Sequence, residues 1–182
     1  AEAYLGRLPG TCGPVTDAVT VNPYLGEDGI TPFIEVAQKE GKGVFVLVKT
    51  SNPSGPQFQD LEAEGFPLYA HVARMVDRLG RKLMGSCGLS ALGAVIGATY
   101  PEVLGSLREI MPYNPFLLPG VGQQGGRVQD LARAFLPGTR GALVTASRSI
   151  LYAYRSYPDL SFEKAARKAA EDLLEELGKI QP

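Results

Sequence analysis

Histidine occurs once in the 182-residue chain and cysteine twice, at Cys12 and Cys87. The two cysteines are isolated and form no Cys-x-x-Cys pair, so neither a disulfide framework nor a zinc site is expected. Charge of one sign is not in excess either: 18 Lys and Arg against 19 Asp and Glu leave a formal net charge of −1. Nothing therefore advertises a nucleic-acid or membrane surface. No apolar run approaches the length of a membrane span, and no basic segment followed by an apolar stretch is visible as a secretion signal. Apolar residues make up 45% of the chain and charged residues 20%, a balance typical of globular rather than disordered sequences. The length suffices for one domain with a real core. These bounds point to a cytoplasmic enzyme or binding domain.

What is present is an alternation. After an apparent helix over 1–8, β-branched or apolar runs at 17–21, 43–50, 91–98, 115–121 and 141–146 read as strands. Helices are expected between and after them, at 29–40, 67–81, 101–110, 127–135 and 162–177. Pro32 fits the first turn of the helix at 29–40, and Gly41 stops it. Leu68, Val72, Met75, Val76 and Leu79 form one stripe with helical spacing. Phe162, Ala165, Ala166, Ala169, Leu173 and Leu177 make the expected buried face of the last helix, with Ser161 as its cap and Glu163 in its first turn. The run Val44-Phe-Val-Leu-Val48 is nearly continuous, as for a strand covered on both faces. Strict βα alternation with short connections implies a parallel sheet with right-handed crossovers. Five such strands fit a doubly wound sheet of the flavodoxin kind or the last five strands of an eight-stranded barrel. The pattern leaves both open.

Two strand-to-helix loops carry the chemistry. Phe116-Leu-Leu-Pro-Gly-Val-Gly-Gln-Gln-Gly-Gly126 breaks from an apolar run into glycines, and Val144-Thr-Ala-Ser-Arg-Ser149 ends the next run in hydroxyls and one arginine. Glycines let backbone N–H groups approach an anion, and Arg148 supplies a planar fork of donors suited to phosphate. Consecutive loops of this kind resemble the phosphate site after strands 7 and 8 of a (β/α)8 barrel. The blander readings are a simple glycine turn and a surface ion pair for Arg148. Residues 120–125 also match G-x-G-x-x-G, but no acidic residue stands at the end of the next strand, so only an NADP variant of the dinucleotide reading survives. Ser51, in a polar Ser-Asn-Pro-Ser-Gly loop, is read either as a ligand contact or as a local turn. Lys49 shares strand parity with Leu47 and Ser51, which would turn it toward the interior at the catalytic end; its preferred reading is a member of a salt-bridge network. His71, one position off the helical stripe, is read as structural.

Five stretches together resemble the orotidine 5′-phosphate decarboxylase family, in its bacterial type 2 (mycobacterial-type) subfamily: DAVTVNPYLG at 17–26, GVFVLVKTSNPSG at 43–55, LGAVIGATYPE at 92–102, FLLPGVGQQGG at 116–126 and TASRSILYA at 145–153. They run in family order across almost the whole chain. The resemblance implies a single-domain (β/α)8 barrel acting as a homodimer, which converts orotidine 5′-phosphate to UMP and CO2 without metal or organic cofactor. It implies that the five units are strands 4–8. Gln124, the Gly125 and Gly126 backbone, Ser147 and Arg148 would hold the 5′-phosphate, Ser51 would hydrogen-bond the pyrimidine amide, and Pro53 would line the base pocket. The family's reacting lysine and aspartates lie in an Asp-x-Lys-x-x-Asp motif at the end of strand 3. That motif is found nowhere in the 182 residues, so the catalytic residues are expected N-terminal to Ala1. Such a part of a barrel would leave open edges and an uncovered interior row of Val, Ile and Leu.

Overall fold

The computed structural model describes residues 1–6, 16–122 and 126–180. In chain order the elements are α1 (Glu2–Leu5), β1 (Ala18–Val21), α2 (Glu27–Glu40), β2 (Gly43–Lys49), α3 (Pro56–Gln59), β3 (Glu62–Ala63), β4 (Phe66–Pro67), α4 (Leu68–Gly80), β5 (Leu92–Ile96), α5 (Pro101–Ile110), β6 (Phe116–Pro119), β7 (Ala142–Thr145), α6 (Arg148–Leu151) and α7 (Phe162–Gly178). All five strands expected from the pattern are present, each trimmed by one to three residues. The expected helix at 127–135 is instead a 3-10 helix, Val128–Ala134. An Arg127–Asp130 ion pair at 2.8 Å spans three positions at its start, a spacing suited to the tighter turn. The end of the helix expected at 1–8 lies outside the described residues, as does Cys12.

The main sheet is parallel, in the order β1-β2-β5-β6-β7. With the antiparallel β3–β4 hairpin set aside, each strand joins beside its predecessor and the order never reverses. A doubly wound sheet needs a reversal, because its ligand crevice forms at that switch point. This order therefore excludes the doubly wound alternative and describes a singly wound α/β sheet.

One face of the sheet is covered. Val44, Val46, Leu92, Ala94, Ile96, Phe116 and Leu118 alternate along their strands and are buried, in one core with Ile30 and Ala37 of α2, Ala73 and Val76 of α4 and Leu104 and Leu107 of α5. Each fully buried Val, Leu or Ile stabilises the fold by about 1.5–3 kcal/mol. On the opposite face Val95 at the centre is buried, but Phe45 and Leu47 are only half-buried, Ala18 and Thr20 are exposed, and Leu143 is 54% exposed. The expectation that β2 is covered on both faces is thus met on one face only.

Three helices differ in detail from their patterns. α2 begins at Glu27, so Pro32 sits inside it; Pro32 is exposed, and Thr31 Oγ1 donates to the Glu27 carbonyl at 3.0 Å. In α4 the buried face is mostly small, Ala70, Ala73, Val76, Asp77 and Gly80; of the expected stripe Val76 is buried, Val72, Met75 and Leu79 are part-buried, and Leu68 is 40% exposed. Small side chains let this helix lie close to β2 and β5, which it contacts. In α7 only Ala165 is fully buried, and Phe162 is exposed beside Tyr154. Ser161 stands at the N-cap position of α7, but its side chain makes no capping hydrogen bond; a bond to the Glu163 backbone, and then one to Ser161, hold the Glu163 carboxyl below its ordinary value.

Candidate active site

Parallel strands all end on the same side, so the loops that follow them share one rim of the sheet. Two glycines bring these loops into contact. A Cβ on Gly97, just past β5, would lie 2.8 Å from the backbone N, Cα and Cβ of Ser51, just past β2. A Cβ on Gly126 would lie 2.8 Å from the carbonyl oxygen of Ala98. Such distances are shorter than any real side chain tolerates, so glycine at each position is what allows the loops to meet. Ser51, Gly97, Ala98 and Gly126 form one contiguous row.

The β6 loop continues it. Gly120 and Gly122 have φ of 104° and 81°, in the region that favours glycine. The Gly122 N–H donates to the Gly126 carbonyl at 3.0 Å, and the Gly126 N–H donates to the Gly120 carbonyl at a long 3.3 Å. Gly126 is buried and closes the base of the loop. Gln124 and Gly125, two of the expected phosphate ligands, lie outside the described residues. Across from this base, Ser147, Arg148 and Ser149 begin α6. A cleft of about 170 Å³ is lined by Pro119, Gly120, Val121 and residues 145–149. The structure thus brings Arg148 and Ser147 against the glycine loop. Both side chains are exposed, the Ser147 hydroxyl makes no capping bond, and among the described residues no carboxylate pairs with Arg148. Pro53 is exposed in the β2 loop beside Ser51.

Lys49 does not follow the simple parity reading. A bulge between Leu47 and Lys49 shifts the register with β5, so Val48 and Lys49 are both buried, each 2% exposed. The Lys49 ammonium pairs with Asp60 and lies 4.5 Å from the Tyr100 ring centroid and 5.2 Å from that of Tyr69. The salt-bridge reading of Lys49 holds, with Asp60 and the two rings as partners that the sequence pattern did not single out. Burial, then the nearby Asp60 and Glu102 carboxylates, push the Tyr69 phenol above its ordinary value. His71 is structural as expected: its Nε2 is 2.7 Å from the Ala63 carbonyl, and its ring meets Phe66 edge-on. Among the described residues no group of three His, Cys, Asp or Glu side chains is placed to hold a metal ion, and no helix is long and apolar enough to cross a membrane.

A second cleft, about 610 Å³ and mostly apolar, lies at the ends of β1 and β2. Tyr24, Phe58, Leu68, Tyr69 and Val72 line it with Thr50 and Asn52. Three of these, Tyr24, Phe58 and Leu68, are 85%, 63% and 40% exposed.

Residues 14–157 match the family model described as orotidine 5′-phosphate decarboxylase / HUMPS family. The chain belongs to that family. It is 44% identical over 181 residues to the orotidine 5′-phosphate decarboxylase of Caldicellulosiruptor bescii, covering 97% of this chain and 59% of the relative. It is also 44% identical over 180 residues to that of Deinococcus radiodurans, covering 97% and 61%. The chain therefore spans about three-fifths of the curated relatives it matches. Among solved structures, Leishmania donovani UMP synthase superposes with a TM-score of 0.70 at 31% identity, over 88% of this chain and 33% of that one.

Proposed function

We propose that this chain forms the nucleotide-binding side of an orotidine 5′-phosphate decarboxylase, a cytoplasmic enzyme that converts orotidine 5′-phosphate to UMP and CO2 without metal or organic cofactor. Its strands β1, β2, β5, β6 and β7 are strands 4–8 of a (β/α)8 barrel. The incompletely covered face, with Phe45 and Leu47 half-buried and Leu143 exposed, supports this, because a barrel's inward residues are filled only when the wall closes.

One observation carries the reading: the glycine loop after β6 and Ser147–Arg148 after β7 enclose one cleft, on the rim where Ser51 meets Gly97. Arg148 pairs there with the phosphate dianion, with Ser147, Gln124 and the Gly125–Gly126 loop as further donors. Ser51 lies toward the pyrimidine amide, its hydroxyl able to donate and accept, and Pro53 lines the base pocket. Binding energy at the phosphate is expressed at the distant ring, by holding it against the reacting lysine of the Asp-x-Lys-x-x-Asp motif. The exposed aromatic cleft at the ends of β1 and β2 supports a homodimer through that face; a sedimentation mass of a monomer at micromolar concentration would count against it.

The test is binding of UMP by the parent chain and by Arg148→Ala. The variant should bind UMP at least about tenfold more weakly, the loss of one charge-assisted contact, with an unchanged melting temperature because the side chain is exposed. Equal affinity would sink the assignment. Orotidine 5′-phosphate added to a demonstrably full-length protein separates enzyme from binding module: release of UMP shows turnover, and UMP binding without release shows a module alone.

A further inference from the structure

The β2 loop is locked at both ends by paired residues. Lys49 and Thr50, where the strand ends, face Asp60 and Gln59, where the loop ends. The Lys49 ammonium pairs with the Asp60 carboxylate. The Thr50 N–H donates to Gln59 Oε1 at 3.0 Å, and Gln59 Nε2 donates to Thr50 Oγ1 at 2.7 Å. The same threonine hydroxyl donates to Asn52 Oδ1 at 2.6 Å. On the other side, the Lys49 carbonyl accepts the Gly97 N–H at 2.6 Å. Lys49 is thus tied to the sheet by its backbone and to the far end of the loop by its side chain. Ser51 sits between these ties.

A buried ammonium is an expensive way to hold a loop. Its desolvation is offset only by a good partner, and a neutral side chain of similar volume is often no less stable. Asp60 is 44% exposed and keeps access to water without the lysine. Replacing the lysine by a neutral side chain of similar volume therefore need cost little stability, whereas it removes the tie that fixes the loop.

We infer that Lys49, acting through Asp60, is a positioning residue that fixes the Ser51 loop for recognition of the nucleotide base without touching the ligand. This rests on the nucleotide-binding reading above. It separates the two halves of the ligand: the base side depends on the Lys49–Asp60 tie, whereas the phosphate cleft lies on β6 and β7.

Two variants test it, Lys49→Met, which removes the buried charge, and Asp60→Asn, which leaves the buried ammonium without its counter-charge, so the melting temperature of each is measured beside its binding. Calorimetric titration with UMP and with ribose 5-phosphate reads the two halves of the ligand separately. Both variants should bind ribose 5-phosphate like the parent and UMP at least tenfold more weakly. Lys49→Arg, which keeps a cation beside Asp60, should recover part of the UMP affinity. Parent-like UMP binding in Asp60→Asn overturns the inference and leaves the nucleotide reading standing. Equal weakening of both ligands also overturns it, because the tie would then be a general support of the fold. A parent chain that binds neither ligand overturns the nucleotide reading itself, and the inference with it.

Discussion

Replacing Arg108 by methionine should lower the melting temperature by about 10 °C, more than any exposed substitution in the chain. All five N–H donors of this guanidinium are used. Nε and Nη2 donate to the Ala134 carbonyl at 3.1 and 2.6 Å, Nη1 to Met111 and Asn114 at 3.0 and 2.8 Å, and Nη2 also to Gly141 at 2.8 Å. Its Cζ lies over the Phe116 ring, 3.6 Å from the centroid. One side chain of α5 thereby joins the turn into β6, the end of the 3-10 helix and the residue before β7. Burial pushes its pKa down to about 10, still well above neutrality, so the group is charged and its bonds are charge-assisted. Methionine fills much of the space but leaves four carbonyls without this donor. Removing one partner of such a buried charged network costs about 3–5 kcal/mol, against a whole-domain stability of about 5–15 kcal/mol. At about 2–4 °C per kcal/mol for a chain of this size, circular dichroism should resolve the loss easily. Lysine should recover only part of it, because three donors on a point charge cannot reproduce a planar fork. A methionine variant melting within 3 °C of the parent would refute this account.

Arg108 also shows where reading the sequence stops. Its partners are four backbone carbonyls from three segments, and a carbonyl leaves no mark in residue type. The strands were readable because a parallel strand must be apolar on the face its helices cover, and Val44, Ala94 and Phe116 belong to such runs. Their ends were not, since hydrogen bonding stops where the loops turn away. α3, α6 and the β3–β4 hairpin are too short to show a period. The β2 bulge is likewise silent, and it defeats the parity argument for Lys49, whose partner Asp60 lies across a loop. Strand order was the other gap. Alternation alone fitted both a singly and a doubly wound sheet, and only the observed pairing separates them.

Of the site, the glycine loop and Arg148 were visible in the sequence through their chemistry, and the structure places Ser147 and Arg148 against that loop. Gly97 was not visible, because a glycine inside an apolar run reads as a weak strand residue until its neighbour is known. It carries the second large expectation: Gly97→Ala should weaken UMP binding at least about tenfold, or about 1.4 kcal/mol, and lower the melting temperature by a few degrees, because the backbone must shift. The new methyl would stand 2.8 Å from Ser51 N, Cα and Cβ. These atoms are backbone or fixed to it, so no rotamer change relieves the clash and the Ser51 loop must move. Gly97 is not among the glycines with positive φ, so alanine adopts its conformation without torsional strain. Removing a glycine from the unfolded chain restores about 0.4–1 kcal/mol, which offsets part of the local distortion. Ribose 5-phosphate, held on the β6 and β7 loops, should bind the variant as it binds the parent, so the comparison locates the damage on the base side. If Gly97→Ala bound UMP like the parent, the close approach of β5 to Ser51 would have no role in recognition, and the base would have to be held elsewhere on the rim.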